Sequence, residues 1–108
     1  MGTKRKGYMV ERKIRKILEA NNWLVVRAGG SLGEADLVCL KNGKCFLFQI
    51  KSTRKKNFYY YGYSSKKLAG FPFFIIVDFG YGRIRVVKPK KVIKITDGMA
   101  LKDFLVKY

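Results

Sequence analysis

Residues 36–51, DLVCLKNGKCFLFQIK, decide the fold of this chain because they carry its strongest hairpin signal. The runs on both sides of Asn42-Gly43 are rich in apolar, aromatic and branched residues, which favour β-strands. Asn-Gly is the preferred pair for a two-residue type I′ turn. In such a turn Lys41 lies opposite Lys44. The stretch therefore predicts two antiparallel strands with a defined register.

Polar side chains interrupt the open end of this hairpin on a single face. The register places Asp36 opposite Gln49, and Lys51 shares their face because side chains alternate along a strand. Lys51 is diagonal to Asp36, within reach of a long side chain. Glu34 would face Lys51 if the pairing continued. A slip of one residue would put Asp36 and Gln49 on opposite faces, so the register itself predicts a polar cluster here.

The chemistry that this cluster supports is metal-assisted phosphodiester hydrolysis. The carboxylate of Asp36 and the amide oxygen of Gln49 are hard donors that suit Mg²⁺. Bound Mg²⁺ polarises a phosphate and lowers the pKa of water, and Lys51 would stabilise charge developing on the phosphate. Because the chain has no histidine, acid–base chemistry has to use carboxylates, lysine, tyrosine or metal-bound water.

Glu11 is a further candidate, on an amphipathic helix predicted for residues 7–21. At about 100° per residue, Glu11 lies only about 20° from Leu18, on the shoulder of the apolar stripe. A charge there is costly unless it has a partner, and from there it could reach the metal site. Simpler alternatives are an i, i+4 salt bridge with Arg15 and, for the hairpin, an Asp36–Lys51 ion pair at a sheet edge.

The rest of the chain predicts one α/β domain, residues 1–108, with a mixed sheet. The predicted elements are a flexible basic arm over 1–6, the helix over 7–21, a strand over 23–27, a glycine-rich loop over 28–33, a basic tyrosine-rich segment over 52–67, a short helix over 64–69, strands over 73–79, 83–88 and 91–96, and a closing helix capped by Asp97. No internal repeat and no linker interrupts this series.

The composition favours a nucleic-acid partner. The chain has 24 Lys and Arg against 7 Asp and Glu, a net charge of +17, and neutralising phosphates releases counterions. The run Arg54-Lys55-Lys56, just past the cluster, is expected to follow a phosphate backbone. The tyrosines of residues 59–63 either stack on unpaired bases or alternate between core and surface on a strand.

Membrane and zinc-dependent classes are disfavoured. No apolar run approaches the roughly 20 residues that span a bilayer, and no hydrophobic segment follows the basic N-terminus, so an intracellular protein is expected. Cys39 and Cys45, without histidine, cannot complete a structural zinc site in one chain. Both are expected to be small core residues.

These residues together resemble the PD-(D/E)xK nuclease superfamily, and within it the archaeal Holliday junction resolvases. The matching positions are Glu11-Arg12 on a helix, Arg27 at a strand end, Ser31 and Gly33 in the loop, Asp36, and Gln49-x-Lys51. The resemblance implies a restriction-endonuclease-like fold, a mixed β-sheet flanked by helices. It also implies a homodimer that cuts paired strands of a four-way DNA junction with Mg²⁺, for which Mn²⁺ is a possible substitute.

The resemblance implies roles for individual residues as well. The implied catalytic set is Glu11, Ser31, Asp36, Gln49 and Lys51; the implied metal ligands are Glu11, Asp36, Gln49 and the backbone carbonyl of Ile50; Arg12 and Arg27 are implied to support the site and bind the scissile phosphate.

The chain departs from the motif at three points, of which Ala35 is common in the superfamily and only Gln49 bears on activity. Ala35 occupies the usual proline position, and the helix after the third strand is short, which leaves the dimer geometry open. Gln49 replaces the second acid, which removes a negative charge and should weaken Mg²⁺ binding. Two other functions therefore stay open beside a junction resolvase: a DNA-binding protein on a degenerate nuclease fold, and a nickase or flap nuclease, such as a virus or mobile element would encode.

Overall fold

The computed structural model of this chain describes residues 3–28 and 34–108, with side chains from residue 7 onward. Its elements are α1 (Thr3–Ala20), β1 (Leu24–Arg27), β2 (Leu37–Lys41), β3 (Lys44–Ser52), β4 (Asn57–Tyr59), β5 (Lys67–Leu68), β6 (Phe71–Asp78), β7 (Ile84–Val87), β8 (Val92–Lys94), β9 (Met99–Ala100) and α2 (Leu101–Lys107). Helix α1 begins before the predicted residue 7, so the expected basic arm is helical from Thr3 on, since Lys and Arg are good helix formers. Neither helix in this part of the chain is long and apolar enough to cross a membrane.

Strands β2 and β3 form the predicted hairpin. Lys41 pairs with Lys44, and the fully buried Cys39 pairs with Phe46. Both residues of the Asn42-Gly43 turn have positive φ, 50° and 76°, as a type I′ turn requires. The predicted register is therefore confirmed.

Strand β3 lies inside a mixed sheet with the order β1-β2-β3-β6-β7-β9. Its antiparallel neighbour is β2, and its parallel neighbour is β6, where Gln49 pairs with Ile75 and Lys51 with Val77. Strand β5 adds to β6 in antiparallel fashion. The carboxyl end of β3, which carries Gln49 and Lys51, is therefore paired with β6 on one side and extends past the end of β2 on the other.

The two faces of the sheet are covered by different parts of the chain. Phe46 and Phe48 of β3 belong to an apolar cluster with α1 and α2. Leu47 belongs to a second cluster, with residues of β6, β8 and the segment after β4. Gln49 and Lys51 are in phase with Leu47, because side chains alternate along a strand. The polar residues of β3 therefore point to the face opposite the helices.

The connection from β3 to β6 differs from the prediction. The short helix predicted for residues 64–69 is wrong, because β5 forms there and pairs with β6. Ala69 and Gly70 have positive φ, 54° and 83°, which a right-handed helix does not accommodate. The strand predicted for residues 91–96 forms as β8, but it pairs with β4 in a separate two-stranded sheet instead of extending the main one.

The predicted cap of the closing helix is also wrong. Helix α2 begins at Leu101, after Ala100, which makes no side-chain capping hydrogen bond. Asp97 lies one short strand earlier, where its carboxylate accepts the backbone N–H of Lys94 at 2.7 Å and pairs with Lys90 at 2.9 Å. Those two contacts hold the pKa of Asp97 below its usual value. Asp97 therefore stabilises the turn after β8, not the helix.

Candidate active site

Asp36 ties the start of β2 to the end of β3. Its backbone N–H donates to the carbonyl oxygen of Phe48 at 2.8 Å. Its side-chain Oδ2 accepts the backbone N–H of Ile50 at 2.7 Å. Burial raises the pKa of Asp36, and the charges of Glu11 and Glu34 add to the rise, whereas the Ile50 N–H and Lys51 oppose it. Asp36 is thus a partly desolvated carboxylate that other acids surround.

Gln49 lies beside Asp36 with one end of its amide unused. The residue is 8% exposed, and its Nε2 donates to Oε2 of Glu34 at 3.2 Å. Its buried Oε1 has no hydrogen-bond partner among the described residues. A buried acceptor without a partner costs about 1–3 kcal/mol. The arrangement therefore leaves a carbonyl oxygen available to a ligand.

Glu34 lies at the site, although the sequence motif assigned it no role there. The extended hairpin register predicts that Glu34 faces Lys51, but its carboxylate contacts Gln49 instead. The departure arises because the β2–β3 ladder ends at Leu37 and Phe48. Its spacing from Asp36 could have identified Glu34, because residues 34 and 36 of an extended chain lie on the same face as the cluster.

Lys51 lies at its predicted position. The alternative interpretation, a simple ion pair between Asp36 and Lys51, is not formed among the described residues. The residue is half-buried, and its charge lowers the pKa of Asp36. No salt bridge within 4.0 Å joins Lys51 to Asp36 in the described part of the chain. The ammonium group is therefore near the cluster without being neutralised by direct contact.

Glu11 reaches the same end of the sheet from α1. Its Oε2 accepts Nε of Arg27 at 3.1 Å and lies 3.1 Å from Nη2 of the same residue. The Arg27 guanidinium also lies over the ring of Tyr8, 5.6 Å from the centroid. The alternative pairing with Arg15 is absent from the salt bridges of residues 7–28 and 34–108. Glu11 is therefore close enough for its charge to raise the pKa of Asp36, and its carboxylate is bound by Arg27.

The donor set fits a hard divalent cation. Asp36, Glu34 and the Oε1 of Gln49 offer oxygen atoms, which Mg²⁺ and Mn²⁺ prefer. Within the described residues, no three Asp, Glu or Cys side chains form a metal-holding group by themselves. A site here would therefore include the amide oxygen of Gln49, whose buried Oε1, unpaired among the described residues, a cation would satisfy.

The predicted DNA contacts lie on two surfaces. Arg12 is exposed on α1, and the run Arg54-Lys55-Lys56 is exposed directly after β3. Arg27 is half-exposed and its charge is shared with Glu11. Ser31 lies outside the described residues.

A half-buried ion pair next to the site was not predicted. Nζ of Lys13, on α1, lies 2.7 Å from Oδ2 of Asp78, at the end of β6. Asp78 pairs with Ser52 in the parallel ladder, one residue after Lys51. The sequence places Lys13 on the solvent face of the helix, and only the packing of α1 on the sheet reveals this contact.

Comparison with known structures supports the fold. The Archaeoglobus fulgidus structure described as Hjc, a Holliday junction resolvase from an archaeal hyperthermophile, superposes with a TM-score of 0.71, covering 95% of this chain and 98% of that one at 15% identity. The predicted restriction-endonuclease-like fold, a mixed sheet flanked by helices, is confirmed.

Comparison of sequences identifies the family. The crossover junction endodeoxyribonuclease Hjc of Methanocaldococcus jannaschii is 34% identical over 67 residues, which are 62% of this chain and 50% of that protein. The match thus spans about half the length of this curated relative. The family model for the archaeal Holliday junction resolvase (Hjc) matches residues 2–99. The chain therefore belongs to the archaeal Holliday junction resolvase family, as its motif residues predict.

Proposed function

We propose that this protein is a metal-dependent DNA endonuclease that recognises four-way junctions and nicks them in pairs. The observation that carries the proposal is the buried Oε1 of Gln49, without a partner among the described residues, beside the partly desolvated carboxylate of Asp36. The net charge of +17 and membership of the resolvase family support DNA as the substrate.

Asp36 and Gln49 are the proposed metal-binding residues, with the backbone carbonyl of Ile50 beside them. The Ile50 N–H donates to Oδ2 of Asp36 at 2.7 Å and holds that oxygen in place, which leaves the other carboxylate oxygen for the cation. Mg²⁺ or Mn²⁺, when bound, supplies the polarisation of the scissile phosphate and lowers the pKa of water.

The remaining residues have electrostatic and positioning roles in this proposal. Lys51 stabilises negative charge that develops on the phosphate. Arg27 orients Glu11 toward the cluster through its two contacts with Oε2. The exposed residues Arg12 and Arg54-Lys55-Lys56 bind the DNA backbone on either side of the site.

A homodimer follows from the proposed paired nicks. The described residues of one chain hold one such cluster, so two symmetric cuts in a junction call for two chains. Mixing active subunits with Asp36→Asn subunits tests this point: a mixed dimer should nick one strand and leave its partner intact. A single active chain that cuts both strands would contradict the dimer.

The first experiment compares cleavage of a labelled four-way junction with that of a linear duplex of the same sequence, in Mg²⁺, in Mn²⁺ and in EDTA. The informative variant is Asp36→Asn, which keeps an oxygen to accept the Ile50 N–H but removes the charge. Asp103→Asn is its matched control, because Asp103 is exposed on α2. We expect symmetric, metal-dependent junction nicks from the wild type and the control, and none from Asp36→Asn.

The second candidate is a junction-binding protein without cleavage, which the amide at position 49 favours. Tight junction binding without nicks in either metal would select it. Equal cleavage of the junction and the linear duplex would instead indicate a nuclease without junction selectivity.

A further inference from the structure

A carboxylate lies in direct contact with the Gln49 side chain. The Nε2 of Gln49 donates to Oε2 of Glu34 at 3.2 Å. By the resemblance to the nuclease motif, position 49 is that of the second acid, so a negative charge lies beside the neutral amide at this position.

This contact determines which way the Gln49 amide points. With the opposite orientation, Oε1 would face the Glu34 carboxylate, and two acceptors would repel each other. Donation by Nε2 turns Oε1 away from Glu34, and this oxygen is buried without a hydrogen-bond partner among residues 7–28 and 34–108. Glu34 thus fixes the orientation of the Gln49 amide, so that the unpaired Oε1 stays in place on a residue that is only 8% exposed.

The ion pairs of the chain also single out Glu34. Of the seven acids, Glu11, Asp78 and Asp97 have salt bridges to Lys or Arg in the described structure. Two of the others are exposed. Only Glu34 and Asp36 are partly buried and lack such a partner within the described residues. Although the protein is so basic, the two partly buried acids that have no salt bridge to Lys or Arg among the described residues lie at the same site.

The electrostatics show that these groups share one environment. The charge of Glu34 contributes to the raised pKa of Asp36. Burial, with added effects of Glu34 and Asp36, raises the pKa of Tyr60 to about 12. Tyr60, in the segment after β4, is therefore close enough for the charges of both acids to act on it.

We propose that Glu34 supplies the negative charge that Gln49 lacks, so that the Glu34–Gln49 pair acts as the second acidic donor of the metal site. Oε1 of Gln49 binds the cation together with Asp36, and the Glu34 carboxylate, held on the Nε2 side of the same amide, supplies the negative charge from beside it. This inference rests on the proposed metal-dependent function, and it names the residue that restores the charge of the site.

The test measures Mn²⁺ affinity of the metal-free chain by calorimetry, without DNA. The variants are Glu34→Gln, Gln49→Glu and the double exchange Glu34→Gln/Gln49→Glu. Glu19→Gln is the matched control, an exposed acid on α1. We expect Glu34→Gln to weaken Mn²⁺ binding about tenfold or more, and the double exchange to return it to within about threefold of the wild type. The control should stay within about twofold.

Gln49→Glu alone gives an independent readout if Glu34→Gln fails to fold. It places two carboxylates in contact, which repel each other without metal. We expect a lower melting temperature in EDTA and tighter Mn²⁺ binding than in the wild type. An unchanged Mn²⁺ affinity of both single variants would overturn the proposal, as would a double exchange as weak as Glu34→Gln.

Junction cleavage separates this inference from the proposed function. If the wild type cuts junctions and Glu34→Gln binds Mn²⁺ normally, the role of Glu34 is wrong and the function stands. If Glu34→Gln loses Mn²⁺ and the double exchange regains it, but the wild type cuts no DNA, the metal site is right and the endonuclease is wrong.

Discussion

The ion pair between Lys13 and Asp78 should fasten α1 to the sheet next to the site. Oδ2 of Asp78 lies 2.7 Å from Nζ of Lys13, and Oδ1 accepts the backbone N–H of Gly80 at 2.8 Å. The Asp78 side chain is 7% exposed, whereas that of Lys13 is 49% exposed. The pair is therefore buried on one side and solvated on the other, and its energy lies between those of surface and buried pairs.

Two substitutions of Asp78 separate its ion pair with Lys13 from its hydrogen bond with the Gly80 N–H. Asp78→Asn keeps an acceptor for the Gly80 N–H but loses the charge, and Lys13 recovers hydration, so we expect a loss of about 1–2 kcal/mol in unfolding free energy. Asp78→Ala also leaves the Gly80 N–H unpaired, which adds about 1–2 kcal/mol. Each kcal/mol corresponds to roughly 4–6 °C in melting temperature at this chain length.

A double-mutant cycle in urea measures the pair directly. Combining Asp78→Asn with Lys13→Met should give a coupling energy of about 1 kcal/mol. Combining it with Lys16→Met, an exposed lysine on the same helix, should give none. Additive effects of the Lys13 and Asp78 substitutions, or an Asp78→Asn midpoint equal to that of the wild type, would refute the role of this contact.

Three further substitutions have expected outcomes. Gly98→Ala should cost about 3 kcal/mol or more in urea unfolding, because Gly98 has φ of 64° and a Cβ there would meet a carbonyl oxygen of β7; a midpoint equal to that of the wild type would contradict this. Gly62→Ala should displace the Tyr60 side chain, whose hydroxyl oxygen a Cβ would meet at 2.5 Å, and ultraviolet difference spectra should report a more exposed tyrosine; a spectrum equal to that of the wild type would contradict this. Asp97→Asn should lower stability by about 1 kcal/mol at neutral pH. The hydrogen bond from the Lys94 N–H and the contact with Lys90 lower the pKa of Asp97 in the fold. The stability advantage of the wild type is therefore present above the pKa of Asp97 in the unfolded chain, and it is lost as the pH falls through the pKa in the folded chain. A difference in melting temperature that stayed constant from pH 7 to pH 2 would argue against these contacts.

The hairpin and its cluster could be predicted because local rules determine them. A two-residue turn at Asn42-Gly43 sets the register, and the alternation of a strand then assigns Asp36 and Gln49 to one face. The shoulder position of Glu11 follows from helix geometry alone. Its partner does not, because Arg27 reaches it only through the packing of α1 against β1.

The features that escaped prediction depend on contacts between distant residues. The ladder stops at Leu37, so Asp36 takes the Ile50 N–H with its side chain and Glu34 turns toward Gln49. No local pattern of residues 57–69 shows that β4 pairs with β8 across the chain. Helix propensity over 64–69 gave way to the pairing of β5 with β6.

The pairing of β4 with β8 has a consequence for the order of folding. The backbone after Lys51 is fixed by Asn57 pairing with Lys94 and by Ile95 donating to the carbonyl of Lys56. During synthesis, the hairpin with its acids emerges and can form long before β8 exists. Contacts between segments so far apart in sequence form slowly. We therefore expect the basic surface beside the site to be among the last parts of the molecule to fold, after the hairpin that carries its acidic cluster.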